Sequence, residues 1–169
     1  MPVFIALLRA VNVGGTGKLP MADLVDMARS AGFGRARTYI ASGNLVFDSP
    51  LTETRVKAML EGSLATYAGK PVPVMVRTAE EMAAVLDANP FPDKAPNRTV
   101  VVFLDKAPPK DWRKGLVAPD GEEVRAGKRE LYIHYGSGMA RSKLKLPAAA
   151  AGTARNINTV GRLAAMARE

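Results

Sequence analysis

The sequence contains no cysteine and a single histidine, His134, among its 169 residues. The first absence excludes a disulfide framework, thiolate zinc sites, iron–sulfur clusters and a cysteine nucleophile. The second leaves metal binding to carboxylates, and no run of acids has ligand spacing, so no metal and no cofactor is expected. Long apolar runs are also lacking. Nothing approaches the ~20 residues that cross a bilayer, so no membrane partner is expected. The opening MPVFIALLRAVNVGG has an apolar run but neither a basic start nor a small-residue cleavage site. It does not read as a signal peptide, and a cytoplasmic location follows by default. Negative charge is scarce: 16 acids face 24 basic side chains, for a net +8. The imbalance is uneven, because residues 136–169 hold six basic side chains and one acid. Such an excess is either a solvated surface or the footprint of an anionic partner.

What is present is periodic. The chain is 47% hydrophobic and 24% charged, ordinary for a globular fold long enough to bury a core without staples. Residues 3–8 are apolar on both faces, as in a strand covered on both sides. Pro20 marks a helix start, and Met21, Leu24, Val25 and Ala28 then recur at helical spacing before Gly32. Residues 37–41 and 45–48 read as strands around the turn signal Ser42-Gly43-Asn44. A second helix follows Ser49-Pro50, with Val56, Met59, Leu60, Leu64 and Tyr67 on one face, and stops at Gly69 and Pro71. Residues 72–77 form another strand.

This order predicts a ferredoxin-like β-α-β-β-α-β N-terminal half, an antiparallel sheet with both helices on one face. The C-terminal half is expected to be related but less regular. It starts with a helix opened by a Thr78/Glu81 capping box and a strand at 99–104. One short helix is expected within 105–120, around Trp112. A hairpin follows at 122–126 and 130–135, then a short helix up to Leu146 and a C-terminal helix from about Thr159. The expected class is α+β with mostly antiparallel sheets. The division is 1–77 and 78–169, packed as one globular unit. No convincing sequence repeat links the halves.

Four segments carry chemistry-bearing residues. Asn12-Val13-Gly14-Gly15-Thr16-Gly17-Lys18 joins a strand to a helix, where backbone N–H groups and Lys18 suit a phosphate. It is no Walker A loop, since Asn12 replaces the first glycine and Leu19 the Ser or Thr. The competing reading is a turn that needs positive φ. Tyr39 through Phe47 places Ser42 and Asn44 as polar donors at a sheet edge, or is a plain hairpin. The stretch 135–143 leads through glycines to Arg141, Ser142 and Lys143, a second anion cradle or a strand-to-helix connection. In 152–159, Thr153, Asn158 and Thr159 suit helix caps. That leaves Arg155 and Asn156 to bind a ligand or to staple the C-terminus. His134 and Ser137 do not form a nucleophile–base pair, because no elbow motif or third member accompanies them. Phe4, Tyr39 and Phe47 are the only candidates for base stacking of the RNA-recognition kind.

Together ALLRAVNVGGTGKLPMADL, TYIASGNLVF, YGSGMARSKL and GTARNINTVGRLAAMA resemble the bacterial family of the domain of unknown function 1697, collinearly over residues 3–167. Ile157 departs from the tryptophan frequent there. The resemblance implies an α+β fold of two ferredoxin-like halves and assigns no activity. It also implies that Asn12, Gly14, Gly15, Lys18, Ser42, Gly43, Asn44, Arg155 and Asn156 belong to the family's recurring strings.

Three functions compete. The first is binding of an anionic ligand, nucleic acid or a phosphorylated metabolite, through Gly-rich basic loops. Its ligand residues are Asn12, Gly14, Gly15, Lys18, Ser42, Asn44, Arg141, Lys143, Arg155 and Asn156. The second is a metal-free enzyme acting on a small phosphorylated or carboxylated substrate, with catalytic residues unassigned. The third is a structural or partner-binding protein. Oligomerisation is compatible with all three.

Overall fold

Alternation of side chains along a strand sends successive residues to opposite sheet faces, and in β1 (Val3–Leu8) both faces are apolar. The computed structural model describes residues 1–11, 18–136 and 142–169. Asn12, Gly14, Gly15 and Arg141 lie outside the described residues. β1 is followed by α1 (Met21–Ser30), β2 (Gly34–Thr38), β3 (Asn44–Asp48), α2 (Glu53–Ala68) and β4 (Val74–Thr78). The strands form an antiparallel sheet in the order β2-β3-β1-β4. Phe4, Ala6, Leu8, Leu45, Phe47, Val74 and Val76 share a core with Leu24 and Ala28 of α1 and Val56, Leu60 and Leu64 of α2. Ile5, Leu7, Val46, Met75 and Arg77 are buried on the opposite face, which is why β1 carries no polar alternation.

α2 begins where Thr52 accepts a hydrogen bond from the Arg55 amide (3.2 Å), and it ends at Gly69 in the left-handed conformation (φ 71°). β2 lies earlier than the expected 37–41. A register shift between Gly34 and Arg37, with Arg35 at φ 46°, lets Gly34 pair with Asp48. Ile40, at φ 53°, belongs to the turn instead.

α3 (Ala79–Asp87) opens with the expected capping box: the Thr78 amide donates to Glu81 Oε1 (2.9 Å) and the Glu81 amide to Thr78 Oγ1 (3.1 Å). β5 (Thr99–Phe103), β6 (Glu123–Ala126), β7 (Glu130–His134) and β8 (Thr153–Asn156) form a second antiparallel sheet, ordered β6-β7-β5-β8. Its connectivity repeats that of the first sheet, strand for strand. The connections differ. The helix expected within 105–120 is absent; that stretch folds as turns that bury Trp112, and its prolines remove the amide donors a helix needs. The helix expected up to Leu146 is not formed over 142–146 either, because Lys145 and Val117 exchange both backbone hydrogen bonds (2.8 and 2.9 Å). Trp112, Leu116, Leu144 and Leu146 instead cover Val102, Val124, Leu131 and Ile133 of the sheet.

α4 (Ile157–Met166) starts two residues before the expected Thr159. Asn156, rather than Thr153, Asn158 or Thr159, supplies its opening acceptor, taking the Asn158 amide at 2.7 Å.

Spatially, the chain forms one unit from Met1–Ala83 with Leu163–Glu169, and a second from Ala84–Arg162. The C-terminal residues join the first unit through Arg37, which donates to the Met166 carbonyl (2.6 Å), and Arg35, which donates to that of Glu169 (2.9 Å). Among the described residues no helix is long and apolar enough to cross a membrane.

Candidate functional site

A pocket of about 350 Å³ lies in the first unit. Three chain segments build it. Ala10 and Val11 continue from β1, Lys18 and Leu19 lead into α1, and Tyr67, Ala68, Lys70 and Val72 run from the end of α2 toward β4. β1 ends where its partners do: the Leu8 amide donates to the Gly43 carbonyl (2.9 Å) and the Arg9 amide to that of Pro73 (3.0 Å). The chain then turns sharply at Ala10, φ 55°. Val11 and Leu19 are both buried in the helix-side core.

The pocket joins an apolar floor to a cationic rim. Val11, Leu19, Ala68 and Val72 supply carbon, and the exposed Lys18 and Lys70 supply charge. No carboxylate is among these lining residues. The Tyr67 hydroxyl donates to Asp23 Oδ2 (2.8 Å). That bond, then burial, raises its pKa above the ordinary phenol value, so the group stays protonated and its proton is committed to Asp23. Two helix ends act in opposition here. The α1 N-terminus, capped by Pro20 with no side-chain acceptor, favours an anion; the α2 C-terminus disfavours one, and Lys70 just beyond it offsets that end.

The turn between β2 and β3 adjoins this region. A Cβ on Gly43 (φ 87°) would lie 2.7 Å from Val11 Cγ2 and 2.9 Å from Leu8 Cβ. The side chain of Asn44 is wholly buried and its amide donates to the Tyr39 carbonyl (2.9 Å) and to Ser42 Oγ (3.0 Å). Ser42 and Asn44 thus hold each other within the turn. Lys18, Ser42 and Asn44 lie at the same end of the sheet. Phe4 and Phe47 are not available to stack on bases: both are buried and stacked on each other (5.9 Å), with Phe33 4.4 Å from Phe47.

In the second unit, Arg155 is buried on β8, opposite Val101. Its guanidinium donates to Thr153 Oγ1 (2.7 Å) and the Ala154 carbonyl (2.9 Å). Burial pulls its pKa down to about 10. Asn156 is spent on capping α4. Lys143 is exposed. The pocket of about 300 Å³ here is lined by Val102, Ile133, Tyr135, Leu144 and Leu146 among others, with no charged side chain among its described lining residues. His134 is buried, 3.3 Å from Thr99 Oγ1 through Nδ1 and beside the Phe91 ring. Burial, then Lys94, keeps its pKa below the usual imidazole value, and Ser137 lies outside the described residues. No group of three or more metal-ligating side chains occurs among the described residues.

Sequence reasoning missed Tyr67, Lys70 and Val72. They lie some fifty residues from the glycine segment, and only the pairing of β4 beside β1 unites them. The signal was present in Gly69: a helix stop followed directly by Lys70 places a cation at a strand end.

A comparison with curated proteins returns no match. Among solved structures, the chain is similar to the conserved bacterial protein SP0830 from Streptococcus pneumoniae, at 23% identity over 98% of each chain with a TM-score of 0.81, a likeness of fold. The family model described as a protein of unknown function, DUF1697, matches residues 1–132. The chain belongs to the DUF1697 family.

Proposed function

We propose that the first unit binds a small phosphate-bearing molecule at the end of β1. The observation that supports this most is the pocket itself. It sets two lysines, with no opposing carboxylate among the lining residues, over an apolar floor, at the point where a glycine-rich segment enters α1. Glycines permit close approach of backbone N–H groups to a phosphate, and the α1 N-terminus adds partial positive charge. A volume of about 350 Å³ suits a monomeric ligand. That size, and the burial of Phe4 and Phe47, favour a metabolite over a nucleic-acid strand. The lining residues and the segment 12–17 contain no histidine or acid, so the arrangement favours binding over proton-transfer chemistry.

The test is a thermal-shift titration at low salt with inorganic phosphate, ribose 5-phosphate and AMP. A ligand at about 100 times its dissociation constant adds about 2.7 kcal/mol. For a chain of this size that raises the midpoint by about 5–10 °C. Lys18→Ala and Lys70→Ala should each reduce the shift, and added salt should weaken it. A shift unchanged by both substitutions rejects the site.

A further inference from the structure

Among the described residues, three that are not glycine hold positive φ: Ala10, Arg35 and Ile40. Arg35 has a local cause, since it sits in the β2 bulge and its guanidinium pairs with Asp48 at 2.7 Å. Ile40 has none. A β-branched residue at φ 53° is a steric outlier where Gly or Asn would sit without cost. Its side chain is also 51% exposed, so burial does not repay the conformation. Backbone strain of this kind persists only where the surrounding structure holds it, and it clusters at binding and catalytic sites.

Strand pairing fixes where Ile40 lies. Leu7 pairs with Asn44 and Thr38 with Leu45, so the turn after β2 and the chain leaving β1 are at the same end of the sheet. Gly43 packs against Val11, a wall of the pocket. β3 alone separates β2 from β1, which places the turn about 10 Å across the sheet from the β1 end.

We propose that Ile40 is a specificity contact of the phosphate site: it meets the apolar portion of a ligand whose phosphate lies by Lys18 and Lys70. The inference rests on the anion-site reading above and narrows its ligand class. A molecule that serves both points carries an apolar group held away from its phosphate by a spacer. A nucleoside monophosphate meets that condition, and a pentose phosphate does not.

The experiment compares AMP, ribose 5-phosphate and inorganic phosphate on the full chain, by calorimetry and thermal shift, for the native protein, Ile40→Gly and Ile40→Asn. Both substitutions tolerate positive φ and remove the apolar contact, so midpoints without ligand should stay at or above the native value, which controls for folding. The native chain should bind AMP more tightly than ribose 5-phosphate. Both variants should lose roughly tenfold in AMP affinity, the scale of one lost apolar contact, while ribose 5-phosphate binding is unchanged. Equal native affinities for the two probes, or AMP affinity untouched in both variants, overturns the assignment and leaves the anion site standing. No response of the native chain to any of the three probes removes the anion site, and this assignment falls with it.

Discussion

Replacing Gly43 by Ala should destabilise the first unit far more than the same change at Gly69, although both glycines hold positive φ. The Gly69 backbone is at φ 71° with nothing within 4 Å of an added Cβ, so Gly69→Ala carries only the left-handed penalty of about 1 kcal/mol. At Gly43 the φ is 87°, and an added Cβ would meet Val11 Cγ2 at 2.7 Å and Leu8 Cβ at 2.9 Å. Neither neighbour is the free end of a long side chain. Leu8 is fixed in the sheet by its amide bond to the Gly43 carbonyl, and Val11 is buried in the core. Relieving the contact means prising the turn from β1, an overpacking cost of about 1–3 kcal/mol on top of the conformational one. The sum is about 3 kcal/mol, or a midpoint about 6–12 °C lower, against about 2–4 °C for Gly69→Ala. Reversible thermal denaturation followed by circular dichroism reads both. If Gly43→Ala lowers the midpoint no further than Gly69→Ala, the turn is not packed against the pocket wall, and the link between Ile40 and the pocket goes with it.

Two further substitutions test other joints. Asn44→Ala removes the donor to the Tyr39 carbonyl and to Ser42 Oγ from a wholly buried position. It should cost about 2 kcal/mol, and an unchanged melting midpoint would show that the turn is held by its backbone alone. Tyr132 donates to the Val85 carbonyl at 2.7 Å, and burial, then Glu130, raises its pKa. In the unfolded chain the phenol ionises near 10. The folded state keeps its proton longer, so the contribution is complete below pH 10 and is lost as pH rises beyond it. Tyr132→Phe should lose about 1 kcal/mol at neutral pH and show a shallower fall in midpoint between about pH 10 and 11; parallel curves for the two proteins would refute the assignment.

The first unit was legible because its elements are regular. Apolar spacing set α1 and α2, two-sided burial set β1, and a Gly stop closed α2. What periodicity missed was β2, whose residues Gly34, Arg35, Ala36 and Arg37 alternate poorly and reach their register through a bulge. The strand is defined by its partner, with Gly34 opposite Asp48 and Thr38 opposite Leu45, and pairing partners are invisible to a local window. The opposite failure occurred in the second unit. A helix up to Leu146 is expected from the sequence, but Leu144 and Leu146 are two apart, the spacing of an extended segment, and the Lys145–Val117 exchange holds them so.

That difference bears on why two units of the same connectivity present different described surfaces. Each sheet places its first strand between its third and fourth. In the first unit the two connections over the sheet are α1 and α2, and their ends supply Lys18, Leu19, Tyr67 and Lys70. In the second, the described residues of the equivalent connections are the turns around Trp112 and the stretch 142–146, whose apolar side chains cover the sheet. The cationic rim is thus a property of the helical crossovers and not of the strand order. The charge excess lies in the last fifth of the chain, yet within it Arg155 is buried and donates to Thr153 and Ala154, and Asn156 caps a helix. On the proposed reading, the cations that border a concave surface beside an apolar floor are Lys18 and Lys70, in the less basic N-terminal part.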